Sequence, residues 1–216
     1  MVGDLRPDVH IIMGDFGEFE SVSSHPKSSP KRPDLGEDYA VGNADLDLLE
    51  SVLQDKTEKH YLEGNHELRV NKFQCNKASE LTGGIKTVEE GLDLKRRGWK
   101  FHKYGTLLTI GKANFTHGLY LNKYHAEKHV STFGDTIIYG DSHTFQAYTM
   151  THGNNPHLGM SVGCLRTLSP EWLHGKPNQW LHGMGVVYVL PGGNFYAYFL
   201  PIIHGVCVFN GKVYRS

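Results

Sequence analysis

The stretch YLEGNHELRV, residues 61–70, runs an apolar pair into Gly64 and then sets Asn65, His66 and Glu67 in a row. Tyr61 and Leu62 read as the end of a short strand, and Gly64 lets the backbone turn sharply just past it. Three side chains that can ligate a metal or exchange a proton therefore leave one strand end together. Taken alone, Asn65-His66 is also a plausible Asx-turn.

Similar junctions recur. VHIIMGD (9–15) is an apolar run closed by Gly14-Asp15, and DTIIYGDSH (135–143) closes on Gly140-Asp141-Ser142-His143. KYGTLLTIGKANFTHG (103–118) reads as two strands joined at Gly111 and ends on His117-Gly118. Between them, ADLDLLESVLQDK (44–56) spaces Leu46, Leu49 and Val52-Leu53 as an amphipathic helix. Residues 66–80 and 86–97 are expected to carry helical pieces, and YLNKYHAEKHVSTF (120–133) a helix. SVSSHPKSSPKRPDLGED (21–38) reads as a long surface loop. Beyond residue 143 the pattern turns to β, Gly and aromatic residues, as in GMGVVYVLP and NFYAYFLPI. The expectation is one α/β domain over 1–216: an alternating strand and helix part to residue 143, then a mostly β part, with helices flanking a two-sheet sandwich. In such folds sites gather beyond the carboxyl ends of strands.

Composition narrows the function. A net charge of −1 over 216 residues argues against binding nucleic acid through bulk charge, though not against a local basic groove. Cys75, Cys164 and Cys207 are scattered and form neither a disulfide framework nor a zinc knuckle, so a reducing, cytoplasmic setting is expected. No apolar run approaches the roughly 18 residues of a membrane span, and MVGDLRPDVH has no apolar core of a signal peptide.

Carboxylate, amide oxygen and imidazole form a mixed O/N donor set that suits manganese, iron or zinc better than calcium. The ordered blocks GDFGE, GNHE, THG and GDSH resemble the calcineurin-like metallophosphoesterase family, and GCLRTLSPEWLHGKPNQWLHGMGVVYV resembles its phage and bacterial members. The resemblance implies hydrolysis of a phosphate ester by direct water attack at a di-metal centre. A phosphodiester or nucleic acid is the favoured substrate, with a phosphomonoester the alternative. It implies Asp15 as bridging carboxylate, Asn65 and His117 on the second metal, and His143 facing the first. Asp141 stands where the family usually has His, which favours a hard cation such as manganese, with zinc, iron or nickel also possible. His66 is implied as general acid rather than ligand, with Glu18 and Glu67 around these groups and Glu67 orienting His66.

The family's first block, D-x-H, has no counterpart. Asp8-Val9-His10 fits the letters, but His10 opens the strand that Asp15 closes, which puts it about 16 Å away at roughly 3.3 Å per residue. The resemblance therefore implies a chain lacking a central strand, with a weak first metal and a persistent second one. Self-association or a partner chain is expected at the open edge, or a rearranged segment filling it. The contrary expectation is a degenerate member that binds metal or a partner with little turnover.

Other features read as structural. His125 and His129 in HAEKH are expected on a solvated face, as is the basic run LKRRGWK (94–100). Trp172 and Trp180 are expected to pack in a core or hairpin, and His182 is the weak candidate for a substrate contact.

Overall fold

Val9–Ile12 forms strand β1 and pairs in parallel with β2, Glu58–Leu62, which pairs in parallel with β3, Trp99–His102. These strands make a three-stranded sheet, order β1-β2-β3, in a computed structural model that describes residues 1–24, 34–78, 80 and 84–215. The register places Ile12 beside Tyr61 and Tyr61 beside Phe101. That face meets helices α2 (Leu35–Val52), α3 (Leu68–Lys77) and α4 (Val88–Gly91) in a core of Ile12, Tyr39, Leu46, Tyr61, Val70, Leu92 and Trp99. A short helix, α1 (Val2–Leu5), precedes β1.

Helix α2 starts nine residues before the expected Ala44, because Asp34 caps it: its carboxylate accepts the Gly36 N–H at 2.6 Å, and Glu37 and Asp38 complement the helix dipole. Tyr39, Gly42 and Leu46 then bury one stripe. Most of the expected 21–38 loop lies outside the described residues. Strand β3 was hidden inside the basic run. Lys95, Arg96 and Lys100 are exposed as expected of a solvated face, but Leu94 and Trp99 are core residues, and Arg97 reaches Asp47 at 2.6 Å and Glu50 at 2.8 Å. Charged letters concealed an apolar spacing that only packing against Leu46 and Tyr61 makes visible.

The chain divides into two compact units, Met1–Tyr104 and Gly105–Ser216. The second holds a five-stranded sheet, order β4-β5-β6-β8-β7. Its strands are β4 (Leu108–Ile110), β5 (Ala113–Thr116), β6 (Ile137–Tyr139), β7 (Ala147–His152) and β8 (Asn155–Ser161). The central β5, β6 and β8 run parallel, and the β4 and β7 edges antiparallel. Helix α5 (His125–Phe133) packs on this sheet so closely that a Cβ at Gly159 would stand 2.3 Å from the Ala126 carbonyl oxygen. Two ribbons follow, β9 (Gly183–Val189) with β10 (Phe195–Pro201), and β11 (Val206–Phe209) with β12 (Lys212–Arg215). The class is mixed α/β with several sheets and no barrel among the described residues. No helix among them is long and apolar enough to cross a membrane.

His10 sits on the core face of β1, its ring edge-on to Trp99 at 6.1 Å, so the Asp8-Val9-His10 look-alike serves packing. Burial pulls its pKa down to about 4 from the ordinary 6.5. Between those values the unfolded chain binds a proton that the folded chain refuses. Stability contributed by His10 is therefore full above pH 6.5 and is lost as the pH falls toward 4, to an extent of about 3 kcal/mol. Thermal melts across this range should show the loss, and His10→Phe should flatten it. An unchanged pH profile in that variant would exclude His10 as the cause.

Candidate functional site

Asp15 takes a left-handed backbone, φ 52, at the end of the β1 loop. Aspartate tolerates this region better than most residues, but the position still needs support. Glu67 supplies it. Its fully buried carboxylate accepts the N–H groups of Asp15 (2.9 Å), Phe16 (2.8 Å), Gly17 (3.4 Å) and Gly64 (3.0 Å), and the Tyr61 hydroxyl (2.8 Å). Burial, then the Asp15 charge, raises the Glu67 pKa, while these donors oppose the rise. Asp15 in turn accepts the His66 N–H on Oδ1 at 2.9 Å. Thus two loops, one after each of two paired strands, are stitched by two carboxylates.

The expected role of Glu67 changes accordingly. It holds the backbone of the Asp15 loop, and the groups at the His66 ring are others: Nδ1 lies 3.5 Å from Glu18 and Nε2 3.8 Å from Asp15. Glu18, more than half exposed, is placed by Arg69, whose Nη1 donates to the Glu18 carbonyl at 2.9 Å. Asn65 lies in the turn between β2 and α3, next to this stitched pair. The first unit thus brings Asp15, Glu18, Asn65, His66 and Glu67 into one loop cluster, as their spacing suggested.

The second unit brings together His117 and Asp141, with His117 Nε2 3.5 Å from Asp141 Oδ1 and His117 almost fully buried. Both follow parallel strands, β5 and β6, and the Gly140 N–H donates to the His117 carbonyl at 2.8 Å. Asp141 and His143 are also left-handed, φ 58 and φ 57. His143 turns its ring edge-on to Trp180 at 4.5 Å.

His125 and His129 are buried rather than solvated, which corrects the reading of HAEKH. Helix α5 lies against the sheet on that side. His129 Nδ1 donates to the His125 carbonyl at 2.7 Å, leaving Nε2 to accept the Leu119 N–H at 3.1 Å, two residues past His117. Its ring stacks on Tyr139 at 3.7 Å, and burial lowers its pKa, consistent with a neutral ring used at both nitrogens. His125 bonds the Tyr139 hydroxyl through Nδ1 and Thr144 Oγ1 through Nε2 at 3.0 Å. These two histidines shape the His117 and Asp141 loops. The i, i+4 spacing announced a shared face, but not that the face was inward. His182 Nε2 donates to the Arg166 carbonyl at 2.6 Å, a structural use of the weak substrate candidate.

Each unit offers metal-ligating atoms: a carboxylate oxygen of Asp15 in the first, and a His117 ring nitrogen with a carboxylate oxygen of Asp141 in the second. His143 is not in that set. Two carboxylate oxygens and an imidazole nitrogen fit a divalent cation of the manganese, iron or zinc type. Among known proteins, no family model matches the chain and no curated protein matches it.

A glycine abuts each carboxylate. A Cβ at Gly64 would stand 2.2 Å from Asp15 Oδ1 and 2.7 Å from Glu67 Oε2. At Gly118, φ 128, it would stand 2.8 Å from the Asp141 Cβ. Gly64→Ala must therefore displace Asp15 or break the Glu67 bonds, at an expected cost of about 2–4 kcal/mol, the range for overpacking plus a lost buried bond. Urea unfolding should show that loss, whereas Gly175→Ala, where no atom lies within 4 Å, should cost only about 1 kcal/mol for its positive φ alone. Equal costs at the two positions would mean that the Gly64 contact is relieved without disturbing Asp15.

Proposed function

We propose that the chain is a metal-dependent phosphoesterase in which Asp15, His117 and Asp141 hold one divalent cation, manganese by preference, and His66 serves as general acid. The observation that supports it is the donor set itself: two carboxylates and an imidazole able to hold a metal ion, on the same residues that the ordered motifs single out. Asn65 joins as an amide ligand and His143 faces a second, weaker position. The two-sheet sandwich of calcineurin-like phosphoesterases, a cytoplasmic setting and self-association at the outer edge of β1 belong to the same proposal.

A divalent cation there would polarise the phosphate and lower the pKa of attacking water. The chain's own residues supply the rest. Asp15 is set in place before any ligand arrives, since Glu67 fixes its backbone and the His66 N–H fixes one oxygen. His66 is mostly enclosed, its side chain 14% exposed, with its ring nitrogens facing Glu18 and Asp15. Water attacks phosphorus, the ester P–O bond breaks, and the leaving oxygen takes its proton from His66. A phosphodiester is the favoured substrate class.

Metal content and hydrolysis of bis(p-nitrophenyl) phosphate test this in one series. Asp15→Asn and Asp141→Asn should lose manganese. His66→Gln should keep it and lose about 10²–10⁴-fold in turnover, the usual worth of a general acid. Loss of metal from His66→Gln would make His66 a ligand, and a wild-type chain that binds no divalent cation would end the proposal.

A further inference from the structure

His143 leads from the candidate site to an aromatic cluster with no role so far. The Trp180 ring meets the edge of His143 at 4.5 Å, and Trp172 lies 5.7 Å from Trp180 at an interplanar angle of 60°. The Arg166 guanidinium stands over both indoles, 5.8 Å from Trp172 and 5.3 Å from Trp180. Trp172 is 47% exposed and the neighbouring Leu165 70%. A pair of tryptophans serving only as core packing would not leave one ring half in water beside an exposed leucine.

The cluster is held in place by its backbone. Leu181 N–H donates to the His143 carbonyl at 2.9 Å, Cys164 N–H to the Leu181 carbonyl at 3.0 Å, and Gly183 N–H to the Cys164 carbonyl at 3.1 Å. His182 anchors the Arg166 carbonyl, Asn178 Nδ2 donates to the Leu168 carbonyl at 2.8 Å, and Trp180 N–H to Asn178 Oδ1 at 2.9 Å. A long Gly/Pro-containing loop is thereby fixed at Arg166, Leu168 and Trp180 and joined to the Asp141–His143 turn. A half-exposed indole offers a π-face to any planar ring, and a guanidinium over the indoles adds a cation that favours an electron-rich ring and a nearby anion.

We propose that Trp172, Trp180 and Arg166 form a subsite that stacks a nucleobase of the phosphodiester whose phosphate lies toward Asp141 and His143. This rests on the phosphoesterase assignment and deepens it by naming a nucleotidyl ester as substrate. Recognition is by stacking, so every base is accepted and sequence selectivity is weak.

The test uses the full chain with EDTA present and AMP as the probe, read by quenching of tryptophan emission. AMP should bind saturably, and ribose 5-phosphate, which has the same charge and no base, should bind far more weakly. Trp172→Leu should weaken AMP by roughly 5- to 150-fold, the range for loss of one base stack. Trp172→Phe, which keeps a ring, should restore most of the affinity. Equal AMP binding by the Leu and Phe variants, ribose 5-phosphate binding as well as AMP, or no AMP binding by the wild type would each overturn the subsite. Manganese binding is measured separately, on samples of the same chain freed of EDTA. Manganese bound without AMP removes the subsite and leaves the phosphoesterase assignment standing; AMP bound without manganese leaves the subsite standing and removes the metal.

Discussion

The first unit depends on a buried carboxylate. Among the described residues Glu67 has no cationic partner; its carboxylate is met by backbone N–H groups from two different loops and by one tyrosine hydroxyl. A buried carboxylate without those donors is costly, and loops that present N–H groups inward without an acceptor are equally costly. Each therefore requires the other. The loop after β1 takes its left-handed turn at Asp15 because the turn aims three successive N–H groups at Glu67, while the Asp15 carboxylate accepts the His66 N–H. The second unit reaches a similar end by other means. There, buried histidines on α5 fill the bonding needs of the loops after β5 and β6, and His117 and Asp141 are set by what lies beneath them.

The division of labour has a chemical logic. In the proposed chemistry, a change of charge at a group that holds much of the fold would be felt in stability, so such groups are better kept with few structural bonds. Glu67, His125 and His129 are spent on backbone and neighbour contacts in the interior. Asp15, His66 and Asp141 sit nearer the surface.

What could be read from the letters, and what could not, follows from range. The strand ends at Asp15, Asn65, His117 and Asp141 were legible because an apolar run closing on glycine and a polar residue is a local pattern. So was the i, i+4 pairing of His125 and His129, but its inward face was not, because that depends on α5 lying on Gly159 and Tyr139. Strand β3 was obscured by three basic letters whose side chains leave the core while Leu94 and Trp99 enter it. The start of α2 was obscured by a serine- and proline-rich approach that ends at an aspartate cap. The function of Glu67 was out of reach for the same reason: GNHE places it beside His66 in sequence, whereas the loop it holds, at Asp15, Phe16 and Gly17, lies some fifty residues upstream.

That separation has a consequence for the order in which the molecule can assemble. Strand pairing between β1 and β2 can begin with any of several apolar contacts, but the clasp needs the register that sets Ile12 beside Tyr61. A slip along the strand would carry the Asp15 loop out of reach of Glu67 and leave both buried groups without partners. The clasp therefore acts as a proofreading contact: it forms late, after closure of a long loop, and rewards one alignment of the sheet. Slow exchange of the Asp15 and Phe16 amides would mark chains that have passed that point, and the geometry offered to a ligand exists only in those chains.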